Sequence, residues 1–401
     1  MKVTIERLGH RGDGVGPGPV YVPLTLPGEE VEIDEASGAV RIATPSADRV
    51  RPPCPHFKSC GGCALQHASD AFVADWKVAV VRAALAAQGL EAEMRPIATS
   101  PARSRRRATL AGKRTKKGVI VGSHARASDT VVPVPECRLL HPGLMACLPA
   151  LEEITSLGAS RKGALDLALT LSEAGVDVAV TGAKPMDAAL FAALGALAGA
   201  HDLARLSWNG ELLAERRAPV QRMGRALVSP PPGAFLQATA EGEGALVGAV
   251  REAAGGAKRM ADLFAGCGTF ALPLAEQAEI HAVEGEAALL AALDQGWRRA
   301  EGLRRVTTET RDLFRRPLMP DELSRYDALV IDPPRAGAEA QVAQIAASNV
   351  PVVAMVSCNP VTFARDARAL VQAGFALDWV QVVDQFRWSP HVELAARFGR
   401  P

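Results

Sequence analysis

Aromatic residues are scarce in this chain of 401 residues, at 4% of the total, so aromatic stacking on a ligand is confined to few positions. Excess charge of one sign is also absent from the totals, because 45 Lys and Arg stand against 44 Asp and Glu. No apolar run is long enough to cross a bilayer, and no charged and apolar leader is visible, so we expect a cytoplasmic protein without a membrane partner. A hydrophobic content of 48% argues against disorder, and the length predicts two or three domains.

The near-neutral total conceals a basic segment. Residues 51–150 hold 15 Lys and Arg and 6 Asp and Glu, a net charge of +9, so the remaining 301 residues sum to −8 if the total is +1. Within that segment, residues 103–117 carry eight basic residues and no acidic one. A solvated charged face is one explanation of such a run. Its concentration in an otherwise slightly acidic chain favours a polyanionic partner instead, nucleic acid above all.

Seven cysteines, an odd number in an expected reducing compartment, argue against a disulfide framework. Cys54, Cys60 and Cys63 form the pattern C-x5-C-G-G-C, and Cys137 follows later in the chain. The two glycines permit a tight turn that lets the thiols of Cys60 and Cys63 face one centre. Four thiolates suit either tetrahedral zinc or an iron–sulfur cluster, and the spacing does not choose between them. Only one of the two C-x2-C knuckles usual in a zinc ribbon is present.

Three regions of the chain differ in pattern. Residues 1–50 alternate short β-branched runs with Gly and Pro turns, which is typical of a small all-β barrel. Residues 51–230 contain the cysteines, the basic run and mixed short elements, with LDLALTL and VDVAVTG as strands, so we expect a central α+β domain. From 231 to 401 strands and helices alternate, which predicts an α/β domain with a parallel sheet.

The α/β region begins with an apolar strand, a glycine turn and a helix, in MADLFAGCGTFALPLAEQA. Gly266 and Gly268 let a ligand approach the backbone where the strand ends. Glu284 ends the next strand, 22 residues after Asp262, where an acidic side chain can bind both ribose hydroxyls of a nucleoside. A dinucleotide enzyme shares this arrangement. Against it, the turn reads G-C-G-T-F rather than G-x-G-x-x-G, and no second mononucleotide-binding half follows.

Of three further motifs, DPPRAG and SCNP follow apolar strands, and HVE precedes one. DPPRAG starts at Asp332, and its prolines stiffen a loop that can hold a flat base, although a rigid turn would read the same. SCNP contains Cys358 at a strand end before a helix start, where we expect a reactive thiol with a lowered pKa rather than a core cysteine. HVE ends at Glu393, a candidate carboxylate base, with an ordinary exposed Glu as the alternative.

In this order, the glycine motif, DPPRAG, SCNP and HVE resemble the class I S-adenosylmethionine-dependent RNA 5-methyluridine methyltransferases. The resemblance covers nearly the whole chain. It implies a Rossmann-like methyltransferase domain, an OB-like TRAM barrel at 1–50 and an iron–sulfur site in the central domain. It implies Cys358 as the nucleophile and Glu393 as the base, and Asp332 is expected to accept a hydrogen bond from uracil N3–H, which cytosine lacks.

The resemblance also implies the ligands. Its cofactor contacts fall on Gln237, Phe264, Gly266, Thr269, Glu284, Asp312 and Asp332. Its ribosomal-RNA branch holds a [4Fe-4S] cluster, here on Cys54, Cys60, Cys63 and Cys137, whereas its tRNA branch lacks the cysteines and the barrel. We therefore expect a monomer that methylates a uridine of 23S rRNA and binds RNA through residues 103–117. A tRNA enzyme and a non-catalytic RNA-binding protein are the alternatives, and Cys147 and Cys267 are expected to be structural.

Overall fold

The computed structural model describes residues 1–160 and 163–400. Its first fifty residues form short strands: β1 (Lys2–Thr4), β2 (Arg7–Leu8), β3 (Gly14–Gly16), β4 (Val20–Val22), β5 (Glu30–Ile33) and β6 (Val40–Thr44). They pair as two three-stranded antiparallel sheets, β1-β5-β6 and β2-β3-β4. Val3, Ile5, Val22 and Val31 are buried together, and their apolar packing holds the strands as one unit. The expected all-β region is confirmed, as two small sheets rather than a single continuous one.

A seven-stranded sheet forms the central part of the molecule. The elements that precede and build it are α1 (Asp70–Ala86), β7 (Glu93–Thr99), β8 (Arg107–Thr115), β9 (Gly118–His124), β10 (Val131–Pro133), α2 (Pro142–Met145), α3 (Leu148–Gly158), β11 (Ala164–Ser172), β12 (Gly175–Thr181), α4 (Ala188–Ala200), β13 (Arg205–Trp208) and β14 (Glu211–Glu215). The sheet order is β10-β9-β8-β11-β12-β13-β14. Alternate residues of β11, Leu165, Leu167 and Leu169, are fully buried in the core that α3 and α4 complete. The two predicted strands LDLALTL and VDVAVTG are β11 and β12, paired antiparallel.

An eight-stranded sheet forms the C-terminal region. Its elements are β15 (Gln221–Met223), β16 (Ala226–Val228), α5 (Ala240–Ala254), β17 (Arg259–Leu263), α6 (Ala271–Leu274), β18 (Glu279–Glu284), α7 (Ala287–Arg299), β19 (Val306–Thr310), α8 (Pro320–Leu323), β20 (Ala328–Ile331), α9 (Glu339–Ala347), β21 (Val352–Ser357), α10 (Pro360–Gln372), β22 (Ala376–Asp384) and β23 (Glu393–Gly399). Eight strands pair in the order β19-β18-β17-β20-β21-β23-β22-β7, and β15 and β16 form a separate hairpin. The strands β17 to β21 are parallel, as predicted, and β23 is antiparallel to both of its neighbours.

Helices cover both faces of this sheet because alternate strand residues enter two separate cores. On β17, Met260 packs with α5, α6 and α7, whereas Ala261 packs with α1, α9 and α10. Strand β7 and helix α1 come from the segment 51–230, yet β7 pairs with β22 at the edge of the C-terminal sheet. The chain between 51 and 230 therefore contributes to two sheets. Among the described residues, no helix is long and apolar enough to span a membrane.

Candidate active site and cysteine cage

One edge of the C-terminal sheet collects the predicted catalytic residues. The carboxyl ends of parallel strands lie at the same edge, and β23, which runs the other way, begins there. Asp332 follows β20, and Cys358 follows β21. Because Ser357 lies opposite Leu394 in the antiparallel pair, the register brings the next residue, Cys358, beside Glu393. The topology thus unites three residues from three separate motifs.

Hydrogen bonds join the loops of the DPPR and SCNP motifs to each other and to the end of β17. The backbone N–H of Asp332 donates to the carbonyl of Leu263 at 3.2 Å, which joins the β20 end to the glycine turn. Asn359 caps α10 and donates from Nδ2 to the carbonyl of Arg335 at 2.9 Å. The Thr362 hydroxyl donates to the same carbonyl at 3.3 Å. The two loops therefore keep a fixed spacing around Cys358.

The acid groups at this edge are strongly perturbed. The Glu393 side chain is only 3% exposed, and burial first, then the nearby Asp332 carboxylate, raises its pKa to about 8. Burial also raises the pKa of Asp332 to about 7. Because two neighbouring buried carboxylates repel each other, the pair holds a proton at neutral pH. Such a pair suits proton transfer near physiological pH.

The Cys358 thiol does not have the lowered pKa that the sequence led us to expect. Burial, followed by the charges of Glu393 and Asp332, raises its pKa to about 11, and the opposing effect of Arg335 is smaller. The helix start after Cys358 is present, as predicted, but does not outweigh burial and the two carboxylates. Free protein thus holds Cys358 as a thiol, and its proton must move to a base when the sulfur reacts.

The glycine turn forms a cradle of the kind that an adenosine ligand requires. Gly266 has a φ of +55°, its N–H donates to Glu284 Oε2 at 3.0 Å, and no atom lies within 4 Å of where a Cβ would project. Phe264 adopts a left-handed φ of +64°, rare for a non-glycine residue and typical of ligand sites. Asp262 is fully buried, and neither carboxylate oxygen has a hydrogen-bond partner among the described residues.

The other expected cofactor contacts surround this cradle or lie near it. The Phe264 ring meets the half-exposed Phe314 ring at 5.4 Å between centroids. Asp312 orders that neighbour by accepting a hydrogen bond from the Phe314 N–H at 3.0 Å. Thr269 is partly buried in the turn. The residues present fit an adenosyl cofactor, with Glu284 able to accept from ribose hydroxyls and the aromatic pair able to flank a base.

Gln237 is joined to the Glu393 carboxylate through a residue that sequence reasoning missed. Nε2 of Gln385 donates both to Oε1 of Gln237 and, at 3.0 Å, to Oε2 of Glu393. Gln385 is 1% exposed and follows β22 directly. Its only sequence signal is a polar residue just after a strand that ends at the active edge.

The four predicted cysteine ligands, here called the cysteine cage, are Cys54, Cys60, Cys63 and Cys137. They line one cavity of about 160 Å³. The Gly62 N–H donates to Sγ of Cys60 at 3.3 Å, and the Leu139 N–H donates to Sγ of Cys137 at 3.4 Å. A Cβ on Gly61 would lie 2.8 Å from a backbone oxygen of His124, so glycine is required there. Among the described residues, no group of three or more Cys, His, Asp or Glu side chains is close enough to hold a single metal ion.

The basic run 103–117 divides into two parts. Arg105 lines the cysteine-cage cavity, Arg106 pairs with Glu243 at 2.5 Å, and Arg107 lies over the Phe235 ring at 5.0 Å. These three arginines are partly buried between the central and C-terminal sheets. Lys113, Arg114, Lys116 and Lys117 are exposed at the tip of the β8–β9 hairpin. Arg103, at the start of the run, is exposed as well. The hairpin tip, defined by the four residues of the β8–β9 hairpin, therefore carries most of the exposed charge of the run and is able to meet a polyanion.

Comparison with known proteins agrees with this geometry. The family model for tRNA (uracil-5-)-methyltransferase matches residues 230–398. An uncharacterized RNA methyltransferase of Brucella suis biovar 1 is 44% identical, covering 98% of this chain and 97% of the relative. The 23S rRNA (uracil(1939)-C(5))-methyltransferase of Chromohalobacter salexigens is 34% identical, covering 98% of this chain and 87% of the relative.

A solved structure shares the fold over the full length. The tRNA (uracil-54, C5)-methyltransferase of Pyrococcus abyssi, in complex with S-adenosyl-L-homocysteine, is similar with a TM-score of 0.78 and 22% identity, over 99% of each chain. A tRNA enzyme can therefore have the N-terminal sheets and the central sheet. Our expectation that the N-terminal barrel would separate rRNA enzymes from tRNA enzymes is thus wrong. Its full-length relatives show that the chain belongs to the RNA uracil-C5 methyltransferase family and is an S-adenosylmethionine-dependent RNA methyltransferase.

Proposed function

We propose that this protein methylates C5 of a uridine in 23S rRNA through a covalent bond between Cys358 and C6 of the uracil. The observation that carries the proposal is the register that sets Cys358 beside the buried carboxyl of Glu393. A thiol and a base on one face of a substrate ring suit addition followed by proton removal. A non-catalytic RNA-binding protein would have no need of two buried, destabilising carboxyls at a ligand-binding edge.

The chain's own residues account for each proton. The reactive form is the one in which both carboxyls are ionised, and its fraction rises with pH. In it the thiol proton of Cys358 passes to the Asp332 carboxylate as sulfur bonds to C6, and C5 then carries the nucleophilic electron pair. S-adenosylmethionine, when bound, supplies the electrophilic methyl group. Glu393 removes the proton from C5, the C6–S bond breaks, and the proton held by Asp332 returns to the sulfur. Cys358 and Asp332 thus regain their starting protonation states, and Glu393 releases the proton taken from C5 to solvent before the next turnover.

The choice of 23S rRNA rests on likeness to one group of enzymes. The Chromohalobacter enzyme, named for a uridine of 23S rRNA, is 34% identical over nearly the whole chain. The Pyrococcus enzyme, named for tRNA, is 22% identical. The greater identity favours rRNA, and the full-length fold of the tRNA enzyme makes tRNA the second candidate.

Nucleoside mass spectrometry separates these substrates. Ribosomal RNA and tRNA would be purified from a strain lacking the gene and from the same strain carrying the wild-type gene or Cys358→Ala. We expect 5-methyluridine to be missing from 23S rRNA in the first and third strains and restored in the second. Loss from tRNA alone would establish the second candidate, and no loss in any RNA would overturn the enzymatic proposal.

We also propose that the cysteine cage holds a [4Fe-4S] cluster. Four thiols around a cavity of about 160 Å³, with no set close enough for one ion, suit a multi-atom group better than zinc. Backbone N–H groups donate to Sγ of Cys60 and Cys137, as they commonly do to sulfur atoms that hold a metal. The methyl-transfer chemistry requires no electron, so the cluster would order the segment around it.

Metal analysis tests the cage. Anaerobically purified protein should be brown and contain iron and acid-labile sulfide, and Cys60→Ser should lose both. Cys147→Ser is the matched control, because Cys147 is buried in the central core and does not line the cavity. Colourless wild-type protein containing zinc would contradict the proposal.

A further inference from the structure

The side-chain amide of Gln385 is buried, and both its oxygen and its nitrogen form hydrogen bonds. Its Nε2 donates to Oε1 of Gln237 and to Oε2 of Glu393, the latter at 3.0 Å. Its Oε1 accepts the Ala238 N–H at 2.7 Å. With 1% of the residue exposed, water cannot replace these partners. One side chain thus joins Glu393 to a segment more than 140 residues earlier in the chain.

Packing restricts Gln385 to this arrangement. A Cβ added to Gly242, in the first turn of α5, would lie 2.6 Å from the Gln385 Cβ. Helix α5 therefore approaches the residue as closely as glycine permits. The N-cap of the same helix, Thr239, follows directly after the Gln237–Ala238 pair that Gln385 contacts. The amide orientation is thereby settled by the backbone at Ala238, and its two N–H groups must point to Gln237 and Glu393.

We propose that Gln385 is a positioning residue: it orients the Glu393 carboxylate for removal of the C5 proton and couples that orientation to Gln237. This inference rests on the proposed function of Glu393 as the base. An N–H donor to a carboxylate holds one oxygen in place, so the other, Oε1, is left for the substrate proton. Both hydrogen bonds come from the same NH2 group of Gln385. If Gln237 moves and the Gln385 amide rotates with it, the N–H that donates to Glu393 moves as well.

Donation to Glu393 also favours its ionised form, which is the form that accepts a proton. The Gln385 hydrogen bond opposes the burial that raises the pKa of Glu393. Removing the donor should leave a carboxyl that ionises only at higher pH and is less well aimed. A hydrogen bond to a charged group is worth about 1.5–3 kcal/mol, which corresponds to about a 10- to 100-fold change in rate if it is lost in the rate-limiting step.

The test compares Gln385→Leu with Gln381→Leu in the purified full-length protein. Gln381 lies on the same strand, β22, is partly exposed, and makes only a 3.4 Å bond to the carbonyl of Pro96. We expect Gln385→Leu to lower kcat about 10- to 100-fold with little change in KM for RNA. The rising limb of its pH–rate profile should move to higher pH. Covalent protein–RNA adduct should accumulate, because the thiol still adds while the C5 proton leaves slowly.

A purely structural role gives a different result. If Gln385→Leu slows adduct formation and turnover equally, or leaves the pH profile in place, the positioning role is wrong. Wild-type kinetics in Gln385→Leu would overturn it as well. Glu393→Gln is the reference: if neither it nor the wild type ever forms an adduct with RNA, the proposed function itself fails, independently of Gln385. Equal binding of S-adenosyl-L-homocysteine by both leucine variants would confirm that both are folded.

Discussion

Nζ of Lys77 lies 2.5 Å from Oδ1 of Asp384, and both side chains are buried. The same ammonium donates to the carbonyl of Phe386 at 3.2 Å. This ion pair joins α1, near the start of the chain, to the end of β22, one residue before Gln385. Three residues after Gln385, the carbonyl of Trp388 accepts hydrogen bonds from the N–H groups of Ala64 and Leu65, which directly follow Cys63. Contacts from the segment 64–77, far from it in the sequence, therefore hold the connection from β22 to Glu393.

Lys77→Met should destabilise the protein strongly. It leaves Asp384 buried without its cation, and breaking a buried pair in this way typically reduces the free energy of unfolding by about 3–5 kcal/mol. Urea unfolding followed by circular dichroism measures the change. The double variant Lys77→Met with Asp384→Leu should recover much of the loss, because no unpaired charge remains. A single variant as stable as the wild type would show that the pair contributes little.

The rate of methylation should rise with pH between about 7 and 9. Glu393 acts in its ionised form, and its pKa is raised to about 8, so raising the pH increases the active fraction. The high pKa of the Cys358 thiol, about 11, acts in the same direction. Single-turnover rates at saturating RNA and cofactor, measured at each pH, give the profile. A rate that is flat or falls across this range would contradict Glu393 as the base.

The sequence was sufficient for the parallel sheet and its active edge. Strand–turn–helix alternation predicts parallel strands, and parallel strands place Glu284, Asp332 and Cys358 at one edge because their carboxyl ends coincide. The position of each of these residues at that edge therefore follows from local pattern alone. The same reasoning predicted strands β11 and β12 in the central sheet.

The remaining features depend on contacts between distant segments. Strand β7 joins the C-terminal sheet nearly three hundred residues before its partner β22, and no local periodicity encodes that pairing. Gln385 and Lys77 acquire their partners only when such segments meet. The pKa of Cys358 was expected to be low because a helix start follows it, whereas burial and two carboxylates, which local sequence does not reveal, raise it.

Glu393→Gln should become more stable relative to the wild type as the pH rises from 5 to 8. The folded protein holds the Glu393 proton with a pKa of about 8, above the ordinary value of 4.5, so the stability from this group is present below 4.5 and lost as pH rises through 8. Glutamine has no proton to lose. The difference in unfolding free energy can grow by up to about 1.4 kcal/mol per pH unit. Urea unfolding at several pH values tests this, with the exposed Glu301→Gln as a control expected to show no such trend.

Charge reversal at the hairpin tip should weaken RNA binding without affecting the cofactor. Lys113 and Lys116 are exposed there, and the structure gives neither side chain an ion-pair partner among the residues it describes, so Lys113→Glu with Lys116→Glu breaks no folded-state contact. Two phosphate contacts fewer should reduce the slope of log affinity against log salt by about 1–2, with the largest loss of affinity at low salt. Filter binding of a 23S rRNA fragment over a salt series measures this.

The matched control reverses two exposed charges elsewhere, at Arg299 and Arg305. Arg299 ends α7, and Arg305 precedes β19, so both lie at the opposite edge of the C-terminal sheet from Cys358. This control should retain the wild-type salt slope, because its two residues are not expected to contact RNA. If the loss of affinity depended on net charge alone, both double variants would show it equally. S-adenosyl-L-homocysteine affinity, measured by calorimetry, should be unchanged in both, since neither pair approaches the glycine turn. If RNA and cofactor affinities fell together in the hairpin variant, RNA binding and cofactor binding would not be divided between the central and C-terminal sheets.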